Sequence, residues 1–167
     1  MTAAGRHPAV TLRHAREDDA DRVMEWRNDG DAVRFSVTGR PVSEVEHRKW
    51  FRALLADRRV RLWIAVDAGK AVGQVRLDVT EGTGTVSIAV AKEHRGRGIA
   101  VSMLLTLIEA VAGEDDLRRL KALTHPDNAA SLRTFERAGF RRVGAPEGGF
   151  LVLLRQLPEG ARPGDAP

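Results

Sequence analysis

The stretch Val86-Ser87-Ile88-Ala89-Val90-Ala91-Lys92-Glu93-His94-Arg95-Gly96-Arg97-Gly98-Ile99-Ala100 decides how this chain is read. The apolar, β-branched run Val86–Val90 predicts a strand. A charged turn follows, then Arg95-x-x-Gly98-x-Ala100, then apolar residues at helical spacing. A strand that feeds a glycine-bearing turn and opens a helix makes an anion site. The N–H groups at the helix start lack intrahelical partners, and the helix dipole favours negative charge there. Gly96 and Gly98 carry no Cβ, so phosphate oxygens can come close to the backbone. Two phosphate loops do not fit. A Walker A loop needs Gly-Lys-Ser/Thr where this chain has Ile99-Ala100. A dinucleotide turn needs G-x-G-x-x-G after the first strand of a βαβ unit, and Gly96-Arg97-Gly98-Ile99-Ala100-Val101 lacks the last glycine and lies mid-chain.

The turn resembles the acetyl-CoA signature of the GCN5-related N-acetyltransferases (GNAT superfamily), Arg/Gln-x-x-Gly-x-Gly/Ala. A second segment, His125-Pro126-Asp127-Asn128-Ala129-Ala130-Ser131-Leu132-Arg133-Thr134-Phe135-Glu136-Arg137-Ala138-Gly139-Phe140, resembles that family's later motif, Asn-x-x-Ser followed by an aromatic and then Gly-Phe. Both stand in the family's order, and the resemblance covers nearly the whole chain.

Composition bounds the reading. The chain has 167 residues, 43% hydrophobic and 30% charged, which fits one globular domain with a sizeable core. It has no cysteine, which excludes disulfides and thiolate metal sites. No apolar run approaches the ~20 residues of a membrane span, and the N-terminus lacks the layout of a signal peptide. A cytoplasmic protein without membrane association is expected. The net charge of +4 comes mostly from dispersed arginines, and aromatics are only 5%. A nucleic-acid surface would show a basic stripe with interleaved aromatics, so none is expected. The arginines read either as a solvated surface or as attraction to polyanionic ligands.

Residues 1–8 and 158–167 are expected to be flexible tails around one domain over 9–157. Within it, Val10–Arg13 reads as a strand. Asp18 or Asp19 caps a helix carrying Ala20, Val23, Met24 and Arg27, and Gly30 stops it. Ser43-x-x-Glu46 is a capping box opening a helix that buries Trp50, Phe51, Leu54 and Leu55. Strands follow at 61–66, 71–79 and 86–90, with turns at Asp67-Ala68-Gly69-Lys70 and Gly82-Thr83-Gly84. A helix over 98–112 faces Leu104, Leu105, Ile108 and Val111 inward. Then come a strand at 120–124, a helix at 128–138, and strands at 140–143 and 150–157. Periodicity supports an α/β fold with helices on both faces of a mixed sheet. The resemblance implies the GNAT topology, in the order β-α-α-β-β-β-α-β-α-β-β, with two splayed parallel central strands.

The resemblance also implies acetyl-CoA as cosubstrate and direct attack by a primary amine in a ternary complex. No histidine cluster has zinc-like spacing, so no metal is expected. Backbone groups near Ile88, Ala89 and Val90 would hold the pantetheine arm as an added strand, and the Val90 N–H would donate to the thioester oxygen. Amides of Arg95, Gly96, Arg97, Gly98, Ile99 and Ala100 would hold the pyrophosphate. Asn128 and Ser131 would touch the pantetheine arm, and Asn128 fits a helix N-cap as well. Many relatives carry a tyrosine that protonates the leaving thiolate at the position of Phe135, which is placed beside the coenzyme here. The chain has no tyrosine, so this acid is excluded. A thiolate leaves tolerably without a dedicated acid, its free pKa being about 8.5. Water, the incoming ammonium or a histidine would supply the proton. His125, where the second splayed strand ends, is the candidate proton relay, with an exposed loop histidine as its plainer reading. His47 belongs to the acceptor wall or to a helix surface.

The first half should choose the acceptor. Trp26-Arg27-Asn28, Val33-Arg34, Ser43-x-x-Glu46-His47-x-x-Trp50-Phe51 and Gly73-Gln74-Val75-Arg76 resemble the branch that acetylates the 4-amino group of UDP-linked amino sugars. That branch is similar to the ribosomal-protein N-terminal acetyltransferases. Alternation puts Gln74, Arg76 and Asp78 on one sheet face, as a polar cleft or as an internal salt-bridged patch. Arg27, Asn28, His47, Gln74 and Arg76 are the candidate acceptor residues. Arg27 or Arg76 would hold a sugar-nucleotide phosphate or a peptide carboxylate. A protein N-terminus is the next acceptor and an aminoglycoside the third. A non-catalytic acyl-CoA-binding module is the reading from another class. The partner is a small-molecule amine, and the protein a monomer or homodimer.

Overall fold

The computed structural model describes residues 8–158. The expected tails therefore lie outside the described residues, apart from Pro8 and Pro158. The elements are β1 (Thr11–His14), α1 (Ala20–Arg27), α2 (Gly30–Arg34), α3 (Glu44–Ala56), β2 (Val60–Asp67), β3 (Lys70–Thr80), β4 (Thr83–Val90), α4 (Ile99–Val111), β5 (Arg119–Thr124), α5 (Ala129–Arg137), β6 (Arg141–Arg142) and β7 (Leu151–Gln156). They form a mixed α/β fold around one seven-stranded sheet in the order β1-β2-β3-β4-β5-β7-β6.

Two expectations in the first half need correction. Gly30 does not stop a helix. The preceding helix ends at Arg27, and Gly30 opens the extra helix α2, because Asp29 accepts the Asp31 N–H at 3.2 Å and caps a new turn. Asp19 stands at the N-cap position of α1, but its carboxylate caps nothing in that helix. It is buried and takes both guanidinium nitrogens of Arg13 at 2.8 Å, tying β1 to α1. The Ser43/Glu46 capping box forms as expected.

Alternation on β2 divides the core into two layers. Trp63 and Ala65 face α4 and α5, packing with Val75, Leu77, Met103 and Leu107. Leu62 and Ile64 face α1 and α3, packing with Val23, Trp26, Phe51 and Leu54. Trp50, Leu55 and Leu105, expected inside, are only half-buried.

The pairing of β4 with β5 positions the site. It is the parallel contact in the sheet, and every other pair is antiparallel. Its register covers only Thr83–Thr85 against Arg119–Lys121. Beyond that both strands continue, β4 to Val90 and β5 to Thr124, without pairing to each other. The two central strands splay, as the resemblance implied.

Candidate functional site

Ladder phase decides which β4 groups face the gap. Hydrogen-bonded and non-hydrogen-bonded pairs alternate in an antiparallel ladder. The Ala91 N–H donates to the Val72 carbonyl at 2.8 Å, and Val90 stands opposite Gly73. Ala89 therefore bonds Gln74 on β3, while Ile88 and Val90 turn their backbone groups toward β5. Ala89 was expected among the gap-facing residues, and this phase removes it. The Val90 carbonyl is taken by Arg95 Nε at 3.0 Å, which leaves the Val90 N–H and both groups of Ile88. Gly73 is required here, since a Cβ on it would stand 2.3 Å from the Ala89 carbonyl oxygen.

The turn after β4 is lined with open amides. Gly96 and Gly98 have φ of 76° and 77°, the left-handed region that favours glycine. The first bond across the start of α4 runs from the Ser102 N–H to the Gly98 carbonyl at 3.1 Å. Among the described residues, the N–H groups of Gly96, Arg97, Gly98, Ile99, Ala100 and Val101 meet no carbonyl. Arg95 departs from expectation, because its N–H goes to the Lys92 carbonyl at 3.3 Å. Its side chain acts instead as a clamp, reaching Asp29 at 2.8 Å and Asp31 at 3.2 Å as well as Val90. That hydrogen bond holds the Asp29 carboxyl below its ordinary range. Arg97 lies beside His94 and 3.7 Å from Asp67.

At the other wall of the gap, Asn128 caps α5 by accepting the Ser131 N–H on Oδ1 at 3.1 Å. Its Nδ2 meets no acceptor among the described residues, so capping leaves a donor for a ligand. Phe135 does not line the groove. It is buried, and its ring meets Phe140 edge-on at 5.1 Å. The cause is the end of α5. Phe140 N–H bonds the Phe135 carbonyl and Gly139 N–H the Glu136 carbonyl, both at 3.0 Å, with Gly139 at φ 86°. This is a Schellman closure, and Phe135–Phe140 is the apolar contact that accompanies it.

His125 follows β5, its ring 5.5 Å from that of Phe35 and 5.8 Å from that of Phe150. Its Nδ1 accepts the Asp127 N–H at 3.2 Å. The neutral ring therefore keeps its proton on Nε2. This tautomer presents Nε2 as a donor, one of the two directions open to the proton relay expected here.

On the side expected to hold the acceptor, Gln74, Arg76 and Asp78 share the sheet face covered by α1 and α3, opposite Ala89, Ser87 and Thr85. Arg76 bonds Asp78 at 2.6 Å. The Arg27 guanidinium lies 4.3 Å from the centre of the Trp50 ring, and the Arg76 guanidinium 5.5 Å from it. Burial, and then the charge of Arg76, push the Arg27 guanidinium below its ordinary pKa, while Glu46 opposes them. Two expected acceptor residues are otherwise engaged. Asn28 spends its side chain on Val42, accepting its N–H at 2.8 Å and donating to its carbonyl at 2.9 Å. His47 is neither a wall nor a surface residue. It is 1% exposed, and its Nε2–H donates to the Ala20 carbonyl at 2.7 Å, joining α3 to α1. Burial lowers its pKa. Sequence reasoning missed Trp50 as part of this cleft, having assigned it to the core, and missed the Phe35 and Phe150 contacts with His125. Periodicity carries no signal for either.

Among the described residues, no group of three or more acidic or histidine side chains could hold a metal, and no helix is long and apolar enough to cross a membrane.

Comparison with known proteins agrees with this geometry. A family model, Acetyltransferase (GNAT) domain, matches residues 9–141. The chain is 30% identical to the L-2,4-diaminobutyric acid acetyltransferase of Streptomyces coelicolor, over 96% of this chain and 90% of that protein. It is 24% identical to an aminoglycoside N(6')-acetyltransferase type 1 of Klebsiella pneumoniae, over 92% of this chain and 87% of the relative. In fold it is similar to the solved aminoglycoside acetyltransferase AAC(6')-Ib in complex with ribostamycin and coenzyme A, with a TM-score of 0.79 at 20% identity over 89% of this chain and 93% of the other.

Proposed function

Because the chain belongs to the GNAT acetyltransferase family, and is an acetyl-CoA-dependent N-acetyltransferase acting on amines, we propose that its acceptor is the primary amine of an amino sugar, with a UDP-linked 4-amino sugar as the best fit. The carrying observation is the gap itself: the Ile88 and Val90 groups open beside a turn of unpartnered amides. The amino-sugar reading is supported by the sequence features of the first half and by the aminoglycoside-acetylating relative. A second reading, the amine of a small amino acid, is favoured by the 30% identity to the diaminobutyric acid enzyme.

The residues fit the cosubstrate. The amides of Gly96 to Ala100 match the pyrophosphate in charge, Ile88 offers an extended arm a strand partner, and Asn128 Nδ2 and Ser131 stand on the opposite wall. Bound there, acetyl-CoA supplies a thioester that is already electrophilic. The Val90 N–H stabilises negative charge gathering on the thioester oxygen as the amine attacks. His125 Nε2–H donates toward the departing sulfur. The neutral amine forms the carbon–nitrogen bond, the carbon–sulfur bond breaks, the nitrogen passes its surplus proton to water, and water returns one proton to the thiolate.

A thiol-release assay with acetyl-CoA and a panel of primary amines tests this reading. Turnover of a UDP-linked 4-amino sugar is expected, with His125→Ala reducing kcat by about tenfold or more at unchanged acetyl-CoA affinity. Turnover of amino acids alone moves the acceptor to the second reading.

A further inference from the structure

The cleft between α1, α3 and β3 carries more positive charge than its own side chains neutralise. Arg27 and Arg76 share the Trp50 ring, at 4.3 and 5.5 Å, and two guanidiniums this close repel each other. Asp78 balances one of them through the Arg76 Nη2 contact at 2.6 Å. Among the described residues, Arg27 bonds no carboxylate. Glu46 acts on it only at a distance, its own oxygens being held by Ser43 and Arg40. Two further polar atoms in the cleft, Arg76 Nε and Gln74 Oε1, are buried without a hydrogen-bond partner. Unpartnered buried polar atoms are costly and rare. A guanidinium pair of this kind suits the planar, bidentate recognition of phosphate or carboxylate. The cleft also adjoins the gap, since Gln74 stands opposite Ala89, next in the chain to Val90.

Resting on the reading above that the chain acetylates a small amine, we infer that the acceptor carries an anionic group, a phosphate or a carboxylate, held by Arg27 and Arg76 at Trp50 with Gln74 contacting a neighbouring donor. The group is a second recognition point beside the amine. A polycation such as an aminoglycoside is repelled by the same two charges, so the specificity of this chain departs from that named for its aminoglycoside-acetylating relative.

Calorimetric titration tests the site apart from turnover. The enzyme is first saturated with coenzyme A, so that the turn at Gly96–Ala100 is filled, and then titrated with UDP and, separately, with 2,4-diaminobutyrate. At least one is expected to bind, and Arg27→Gln is expected to weaken it by about tenfold or more. Arg76→Gln gives an independent variant, and retention of coenzyme A affinity by either shows that the fold is intact. Binding of UDP alone identifies phosphate as the anion, and binding of diaminobutyrate alone identifies carboxylate. Failure of both to bind the wild-type enzyme, or equal binding by both variants, overturns the inference. Thiol release is then compared within matched pairs: diaminobutyrate against 1,3-diaminopropane, and the UDP-linked amino sugar against the free amino sugar. The anionic member of one pair should react at least about tenfold faster in kcat/KM, and kanamycin should be poor. Release without charge preference overturns the anion site and leaves the small-amine reading standing. Binding at the site without release from any small amine overturns the small-amine reading and, with it, the inference that rests on it.

Discussion

The two sides of the gap are built from different materials. The side proposed for the coenzyme is made of backbone: the ladder phase of β4, two left-handed glycines and the open amides that begin α4. The side proposed for the acceptor is made of side chains from three elements, Arg27 on α1, Trp50 on α3, and Gln74 and Arg76 on β3. Backbone machinery needs only strand propensity and glycines in the right order, so it survives wide sequence change. Side-chain machinery depends on which residues tertiary packing brings together. That contrast explains how a chain can match relatives at 24% and 30% identity over nearly its whole length while its acceptor is decided residue by residue.

The largest expected effect breaks the backbone side alone. Gly98→Asp keeps a residue that tolerates the left-handed region, so circular dichroism should stay native-like. Its carboxylate takes the open amides as an N-cap and repels the pyrophosphate, weakening acetyl-CoA by on the order of 100-fold or more. Calorimetry reads this directly, and unchanged affinity would place the phosphates elsewhere. The next effect should fall on the acceptor side alone. Asn28→Ala removes both bonds to Val42 and releases the chain just before α3, while Arg95 still holds Asp29 and Asp31. The acceptor KM is expected to rise by about tenfold with coenzyme affinity unchanged. A parallel loss of coenzyme affinity would show that the sides are not separable.

Phe135→Tyr tests a position outside both sides. Its ring is 3% exposed against Phe140, so a hydroxyl there meets apolar neighbours. A loss of about 1–3 kcal/mol is expected, several degrees of Tm, with no gain in turnover. Faster turnover would mean that the phenol reaches the gap and acts as the acid that this chain lacks. The smallest effect concerns His47. Burial lowers its pKa from histidine's ordinary value of about 6.5, so an unfolded chain takes up a proton that the folded one resists. Its contribution to stability is present above pH 6.5 and is lost as pH falls through the depressed pKa. Tm should slope downward from pH 7 to 5, and His47→Gln, which keeps a donor for the Ala20 carbonyl, should flatten the slope. Identical slopes would place the pH dependence in other groups.

The sequence disclosed the two sides unequally. Gly96, Gly98 and the Val86–Val90 run announced the turn of open amides because local chain geometry decides it. Ser43/Glu46 and Asn128 were legible as caps because their partners lie three residues away. Asn28 was not, because its partner Val42 lies fourteen residues on and is met only after α2 turns the chain back. Gly30 misled for a related reason, since the cap it follows, Asp29, is also the anchor for Arg95. Trp50 sits at helical spacing with Phe51 and Leu54 and reads as core. Only the packing of α3 on the sheet over β2 brings it to Arg76 of the neighbouring strand.

The short parallel contact between β4 and β5 has a consequence for the protein before its substrates arrive. Past Thr85, β4 is an exposed edge in the middle of a sheet, about five residues or ~16 Å long. Edges of this kind are templates for foreign strands, and soluble proteins blunt them with charge, brevity or cover. This one has Ser87 as its single polar side chain and is shielded instead by recess between two continuing strands. An extended ligand with amides at strand spacing would complete the ladder, so occupancy would repair the sheet as well as prepare the reaction. At a hundred times the dissociation constant that linkage adds ~2.7 kcal/mol to the fold. A coenzyme bound in this gap would therefore raise Tm as well as permit turnover.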